Sequence, residues 1–308
     1  MGKEQESEKS LEEKIKEEIV KTGYPTEMQS ASKMITDGWA VYHNPSFLDK
    51  DEGTCREFDI EAIKTRVVKV QPSPLVLART PEQTLALEKG IYFSTNIRLI
   101  CECKKSVDPW IFFVSEESIK SLSFDEFIHR SLVIGTPEIS EKFKTLGNYE
   151  IEIVNNVNIR SSYHYFGHNN FARTYCQPFK KPEKSQQIYE AVMSCIKATL
   201  YYQDFKKANH YFVNYPVIIF NGNLFTSNIV NDEVKINEAN HVQLVVNYIL
   251  PFTAEQKQIY PFLFSPLGDR HKFIIDVVTT NYFEEFLKTI NKEFSFTSTF
   301  VEDIIQNR

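Results

Sequence analysis

No stretch of this chain approaches the roughly 20 consecutive apolar residues that a membrane-spanning helix needs, so no membrane partner is expected. The segment Met1 to Glu18 lacks the apolar run of a secretory leader and is densely charged, which predicts a cytoplasmic protein. Paired cysteines are missing as well. The chain has five, an odd number with no C-x-x-C spacing, which fits a reducing compartment better than a disulfide framework. Cys101 and Cys103 read as small apolar residues on the back of a strand. A basic excess is also absent. The net charge is −6, whereas nucleic-acid-binding domains usually show a basic footprint. Much of that negative charge is concentrated between Glu4 and Glu18. Neither an internal repeat nor a low-complexity linker is present, which favours one compact α/β unit with extensions over two independent domains.

What remains suits a well-packed globular protein. The 308 residues are 42% hydrophobic and 25% charged, and 24 Phe and 15 Tyr supply material for a sizeable core. Two short stretches stand out. Arg56-Glu57-Phe58-Asp59-Ile60-Glu61-Ala62 and Ile100-Cys101-Glu102-Cys103-Lys104-Lys105 each read as a strand with acidic and apolar faces. Side chains alternate along a strand, so Glu57, Asp59 and Glu61 would share one face, and Ile100, Glu102 and Lys104 another. A solvent-facing edge would explain such carboxylates without chemistry. Buried carboxylates, by contrast, need partners or a metal. Asp59 and Glu102 are the oxygen donors a hard ion such as Mg²⁺ prefers, with the Cys103 carbonyl as a third oxygen and Mn²⁺ as a substitute ion. A metal held there would polarise a phosphate and acidify a bound water. Lys104 would orient that water or stabilise the charge of the transition state.

These residues resemble the restriction-endonuclease-like superfamily and its PD-(D/E)XK motif. Asp59 matches the motif aspartate and Glu102-Cys103-Lys104 the E-x-K element, while Phe58 stands where the family has proline. The resemblance implies a glutamate from the first core helix, and Glu27 sits where it is expected, assisting the metal directly or through water. It further implies an αβββαβ core with a central mixed sheet flanked by helices, and Mg²⁺-dependent phosphodiester hydrolysis, with DNA favoured over RNA. Restriction, phage defence and repair are roles it leaves open. A double-strand cutter would need two active sites, hence a homodimer. The cysteine spacing does not match a cluster-bearing relative of this superfamily.

The organisation expected from this pattern is an acidic N-terminal helix over 1–22 and a core over 23–221 in which 106–184 is an insertion. A C-terminal α/β extension would follow over 222–308. Leu11, Ile15 and Ile19 recur at helical spacing on a surface helix ending near Gly23-Tyr24-Pro25. Thr26 with Gln29 reads as the cap of the next helix. Trp39 to His43 and Trp110 to Val114 read as strands, and Phe124 to Leu132 as a short helix. Ile151 to Ile159 is a further strand candidate, and the long interval between Asp59 and Glu102 suggests an inserted helix around Pro81 to Lys89. Gln186 to Lys207 is the clearest helix, with Ile188, Ala191, Val192, Cys195, Ile196, Thr199 and Leu200 on its apolar face. An apolar strand follows at Pro216 to Phe220. His241 to Leu250 and His271 to Thr279 are strands, and Tyr282 to Ile290 is a helix.

Between Ile159 and Lys184, Arg160, Arg173, Lys180, Lys181 and Lys184 are interleaved with tyrosines and phenylalanines. That mixture suits a groove that tracks phosphates and stacks bases, and it equally suits a loop folded onto the core. His164 and His168 lack the nearby cysteine or acidic partners of a zinc site. Besides a nuclease, the pattern admits a non-catalytic nucleic-acid-binding or scaffold module on the same fold, or an effector nuclease switched on by a partner.

Overall fold

The computed structural model describes residues 10–49, 51–70, 91–115, 130–133, 171–179, 186–203, 210–249 and 270–306. Helix α1 (Leu11–Lys21) opens on a capping box in which Ser10 and Glu13 satisfy each other's backbone amides. None of its residues is buried, and its apolar positions Leu11, Ile15 and Ile19 remain exposed. Helix α2 (Tyr24–Thr36) starts earlier than the Thr26 cap predicts. Its N-cap is Gly23, and Pro25 lies in the first turn, where a missing amide hydrogen costs nothing. Thr26 is instead buried in the helix, and its hydroxyl accepts from Asn221 at 3.0 Å.

Strand β1 (Ala40–His43) is followed by the hairpin β2 (Ser46–Asp49) and β3 (Thr54–Glu57), which forms a small sheet of its own. The Arg56 to Ala62 stretch is therefore not one strand. It is interrupted at Phe58–Asp59, and β4 (Ile60–Val70) begins only afterwards. The interruption follows from packing. Phe58 turns inward onto Phe47 and Tyr202, its amide donates to the Pro45 carbonyl, and the Asp59 carbonyl accepts from the Asn44 amide. Asp59 thus sits in a bend, Glu57 is exposed at the end of β3, and Glu61 is buried in β4.

Strands β4 and β5 (Ile91–Lys105) form a long antiparallel ladder from Ile60 opposite Cys101 to Val70 opposite Ile91. Two long strands thus absorb much of the interval between Asp59 and Glu102. The helix expected around Pro81 to Lys89 lies outside the described residues. Next come β6 (Trp110–Ser115), β7 (Arg130–Val133) and β8 (Phe171–Cys176), then α3 (Gln186–Gln203). They are followed by β9 (His210–Asn221), β10 (Leu224–Val230), β11 (Glu233–Glu238), β12 (His241–Ile249), β13 (Arg270–Thr279) and α4 (Phe283–Gln306). Residues 130–132, expected to be helical, are a strand that pairs with the first residues of β9 along an edge left open there. The expected strand Ile151 to Ile159, residues 124–129 and 204–207 lie outside the described residues.

The result is an α/β protein with a large mixed sheet flanked by helices. The strands run β1-β4-β5-β9-β13-β12-β8-β6-β10-β11, with β7 beside β9. Strands β5, β9 and β13 are mutually parallel, so their C-terminal ends share one rim. Leaving out the β2–β3 hairpin and β6 to β8, the elements α2, β1, β4, β5, α3 and β9 follow one another as helix, three strands, helix, strand. One face of the sheet buries Leu99, Cys101, Val217, Ile219 and Ile274 beneath Met34 of α2 and Phe283, Phe286 and Ile290 of α4. The other packs Ile218, Phe220, Phe273 and Ile275 against Ile188, Val192, Cys195 and Ile196 of α3. Gly222 closes the rim. A side chain there would meet the Ser106 carbonyl at 2.6 Å and the Phe220 ring at 2.5 Å, so glycine is required by close approach. No helix among the described residues is long and apolar enough to cross a membrane.

Candidate active site

Glu102 pairs with Ile218 of β9 and lies under α3, so it is not on a solvent-facing edge. It is 5% exposed. Because side chains alternate, Cys101 and Cys103 enter the core under α2 and α4, and Glu102 and Lys104 emerge on the face covered by α3. β5 runs past the start of β4, which frees the backbone of Cys103 from that ladder. The Asp59 carboxylate fills the gap, its Oδ2 accepting from the Cys103 amide at 2.6 Å. The amide and carbonyl of one strand residue point to the same edge. The Cys103 carbonyl therefore faces the Asp59 side, and it also lies against Gly23 at the start of α2.

Asp59, Glu102 and Lys104 converge. Lys104 Nζ donates to Glu102 Oε2 at 2.6 Å, and the other carboxylate oxygen accepts from the Ser194 hydroxyl on α3. Burial raises the Glu102 pKa above the ordinary carboxylate value, and the Asp59 charge adds to the rise against the pull of Lys104 and Ser194. Burial alone would lower the Lys104 pKa, but the Glu102 charge and hydrogen bond, with Asp59 behind them, outweigh it and raise it. Lys104 is thus a fixed cation rather than a proton acceptor. The Cys101 and Cys103 thiols are pushed well up by burial, and the carboxylate charges around them add to it. They are inert core residues.

Glu27 arrives from the other face of β5. It is buried in the first turn of α2, its Oε1 lies 2.9 Å from His43 Nδ1 on β1, and its charge acts on the Cys103 thiol. Among the described residues no hydrogen bond or ion pair links it to Asp59, Glu102 or Lys104. Glu61 is committed elsewhere, to Arg98 at 2.7 Å and to Tyr202 at 3.0 Å.

No family model, no curated protein and no solved structure matches this chain. The chemistry of the site has to be read from its own atoms. Two carboxylates and one backbone carbonyl form a hard-oxygen donor set, and each carboxylate oxygen keeps a lone pair beyond the hydrogen bond it accepts. Such a set fits Mg²⁺, which is commonly held by one or two carboxylates together with water and substrate phosphate. It does not fit an all-protein cage, and among the described residues no group of three or more His, Cys, Asp and Glu side chains is placed to hold a metal.

Of the basic residues proposed for nucleic acid, Arg173 is exposed on β8. Arg160, Lys180, Lys181 and Lys184, like His164 and His168, lie outside the described residues. Sequence reading missed Ser194. Its one visible signal is its place on α3 beside the buried stripe, three residues after Ala191 and four before Ala198. Gln187, on the same helix, donates to the Lys105 carbonyl at 3.1 Å and ties α3 to the end of β5.

Proposed function

We propose that this chain is a Mg²⁺-dependent nuclease of the restriction-endonuclease-like PD-(D/E)XK type, acting on DNA in preference to RNA. One observation carries the reading. A buried Glu102–Lys104 pair sits at the overhanging end of a central strand, with Asp59 hydrogen-bonded to the amide between them. The Cys103 amide gives Asp59 one structural partner, but crowding a second carboxylate beside buried Glu102 is costly, and a bound cation would offset that cost. With the β2–β3 hairpin and β6 to β8 set aside as insertions, the order α2, β1, β4, β5, α3, β9 supports it, because it repeats the αβββαβ succession of that superfamily with Asp59 just before the second strand and Glu102 on the third.

Asp59, Glu102 and the Cys103 carbonyl would hold the ion, with Mn²⁺ as a substitute. Bound there, it supplies Lewis-acid polarisation of the phosphate and lowers the pKa of a water. Lys104, held cationic beside Glu102, donates hydrogen bonds to the attacking oxygen and to the phosphoryl oxygens as negative charge builds on them. Ser194 fixes the rotamer of Glu102. Glu27 with His43 supports the Cys103 end of β5 from the opposite face. Cutting both strands of a duplex would take two such sites and thus a homodimer.

The test is incubation of supercoiled plasmid, linear duplex, single-stranded DNA and RNA with the protein in Mg²⁺, Mn²⁺ or EDTA. Metal-dependent cutting, strongest on DNA, is expected. A folded protein that leaves all four substrates intact in both metals contradicts the proposal.

A further inference from the structure

A cavity of about 420 Å³ opens between β3 and the outer side of α3, lined among others by Arg56, Glu57, Tyr189, Glu190, Ser194 and Lys197. That volume falls in the range of about 300–1,000 Å³ typical of small-molecule pockets. Ser194 belongs to both places, because the hydroxyl that holds Glu102 sits on a residue of the cavity wall. The cavity therefore adjoins the candidate active site directly.

Its charges are not those of a phosphate site. Arg56 and Lys197 are consumed by their neighbours, each lying 2.7 Å from the fully buried Asp49 and each also reaching Glu52. Among the described residues the side chains of Glu57 and Glu190 have no hydrogen-bond or ion-pair partner, so the free charges of the cavity are carboxylates. Phosphate is repelled, and a group rich in N–H donors is attracted. Tyr189 is 55% exposed and offers an aromatic surface at the same place. Tyr175 of β8 lies near enough that the Tyr189 phenol adds to the rise that burial causes in its pKa. This brings the described end of the basic and aromatic segment beside the cavity.

We propose that this cavity is a nucleobase subsite, which takes the base next to the scissile phosphate and favours bases with an exocyclic amino group over thymine and uracil. The inference rests on the nuclease reading for its choice of a nucleotide as ligand. Tyr189 stacks on the base, as aromatic side chains do in single-strand sites. Glu57 and Glu190 accept from the amino group, the pairing a carboxylate makes with cytosine N4.

The test uses the Glu102→Ala chain in EDTA, so that nothing is cut, with fluorescent oligo-dC, oligo-dA and oligo-dT read by anisotropy. Oligo-dC and oligo-dA are expected to bind several-fold more tightly than oligo-dT. Tyr189→Ala should weaken all three by roughly tenfold. Glu57→Ala with Glu190→Ala should bring the ratio towards one, whatever happens to overall affinity. These side chains are exposed, so unchanged melting temperatures are expected and show that each variant folds. Equal binding of the three strands, no binding, or a selectivity that survives the double substitution overturns the subsite. So does capture of an oligoarginine peptide without base selectivity, which would point to a basic protein partner. Failure of the parent protein to cut in Mg²⁺ or Mn²⁺ would count against the nuclease reading and leaves this binding readout independent.

Discussion

Ser194 belongs to no motif, yet its hydroxyl occupies one oxygen of Glu102 while Lys104 occupies the other. A carboxylate held at both oxygens has one orientation, and a hydrogen bond to a charged group contributes about 1.5–3 kcal/mol. Ser194→Ala should therefore slow cleavage by roughly tenfold or more and weaken Mn²⁺ binding in calorimetry, with Ser194→Thr restoring both. Unchanged Mn²⁺ affinity and rate in Ser194→Ala would show that the contact positions nothing. The contrast with Glu102 and Lys104 explains what could be read in advance. Their spacing of two on an apolar strand puts them on one face by local geometry, so the sequence displays them. The Ser194 contact and the Glu27–His43 pair depend on how helices cross the sheet, and no local period encodes that. Glu61 was expected to share a strand face with Glu57 and Asp59, but the break before β4 separates the three, and Arg98 and Tyr202 hold Glu61.

Among the elements, the β2–β3 hairpin is the instructive case. A continuous alternation from Arg56 to Ala62 is what a single strand would show, and the break at Phe58–Asp59 comes from a buried aromatic contact rather than from a local breaker. It is also what frees Asp59 to reach the Cys103 amide. The hairpin is pinned to α3 by Asp49, which is inaccessible to water and faces Lys197 and Arg56. Burial pushes the Asp49 carboxyl upward, but Lys197, the Asp51 amide and Arg56 outweigh it and hold it below its ordinary value. A depressed carboxyl contributes stability that is present above its unfolded pKa, about 3.9, and is lost as pH falls through the folded value. Melting temperature should accordingly drop below about pH 4, and Asp49→Asn should be less stable at neutral pH with a shallower acid slope. Parallel acid slopes for parent and variant would remove Asp49 from this role. Helix α2 shows a milder shift, since Pro25 fits a first turn as well as it breaks a helix. Strand β7 formed where β9 had an unpaired edge, a partner that no local pattern reveals.

At the scale of the molecule, the apolar helix face of α3, the strands β1, β5, β6, β9, β12 and β13 and the inward residues Phe283, Phe286, Leu287 and Ile290 of α4 were legible, because burial imposes the period that a sequence displays, whereas β8, β10 and β11 were not read as strands. The joining of β6, β8, β10 and β12 into the same sheet as β5 was not, since strand order is a matter of long-range pairing. The shared rim of β5, β9 and β13 is where an open α/β sheet offers its loops and strand ends to a ligand, and the Asp59, Glu102 and Lys104 group sits at one corner of it. With a net charge of −6, the molecule as a whole does not attract nucleic acid, so under the proposed function binding would have to come from local features. The proposed cleavage would then depend on a small number of cations and show a shallow salt dependence.

The most direct measurement is DNA cleavage in Mg²⁺ by the parent protein beside Asp59→Ala, Glu102→Ala and Lys104→Ala, each verified as folded by circular dichroism. The account predicts that the parent cuts, that each of the three variants loses at least about a hundredfold in rate, and that EDTA abolishes the parent's activity. Cutting that persists at the parent rate in any of the three, or that survives EDTA, would contradict a metal site built from these residues.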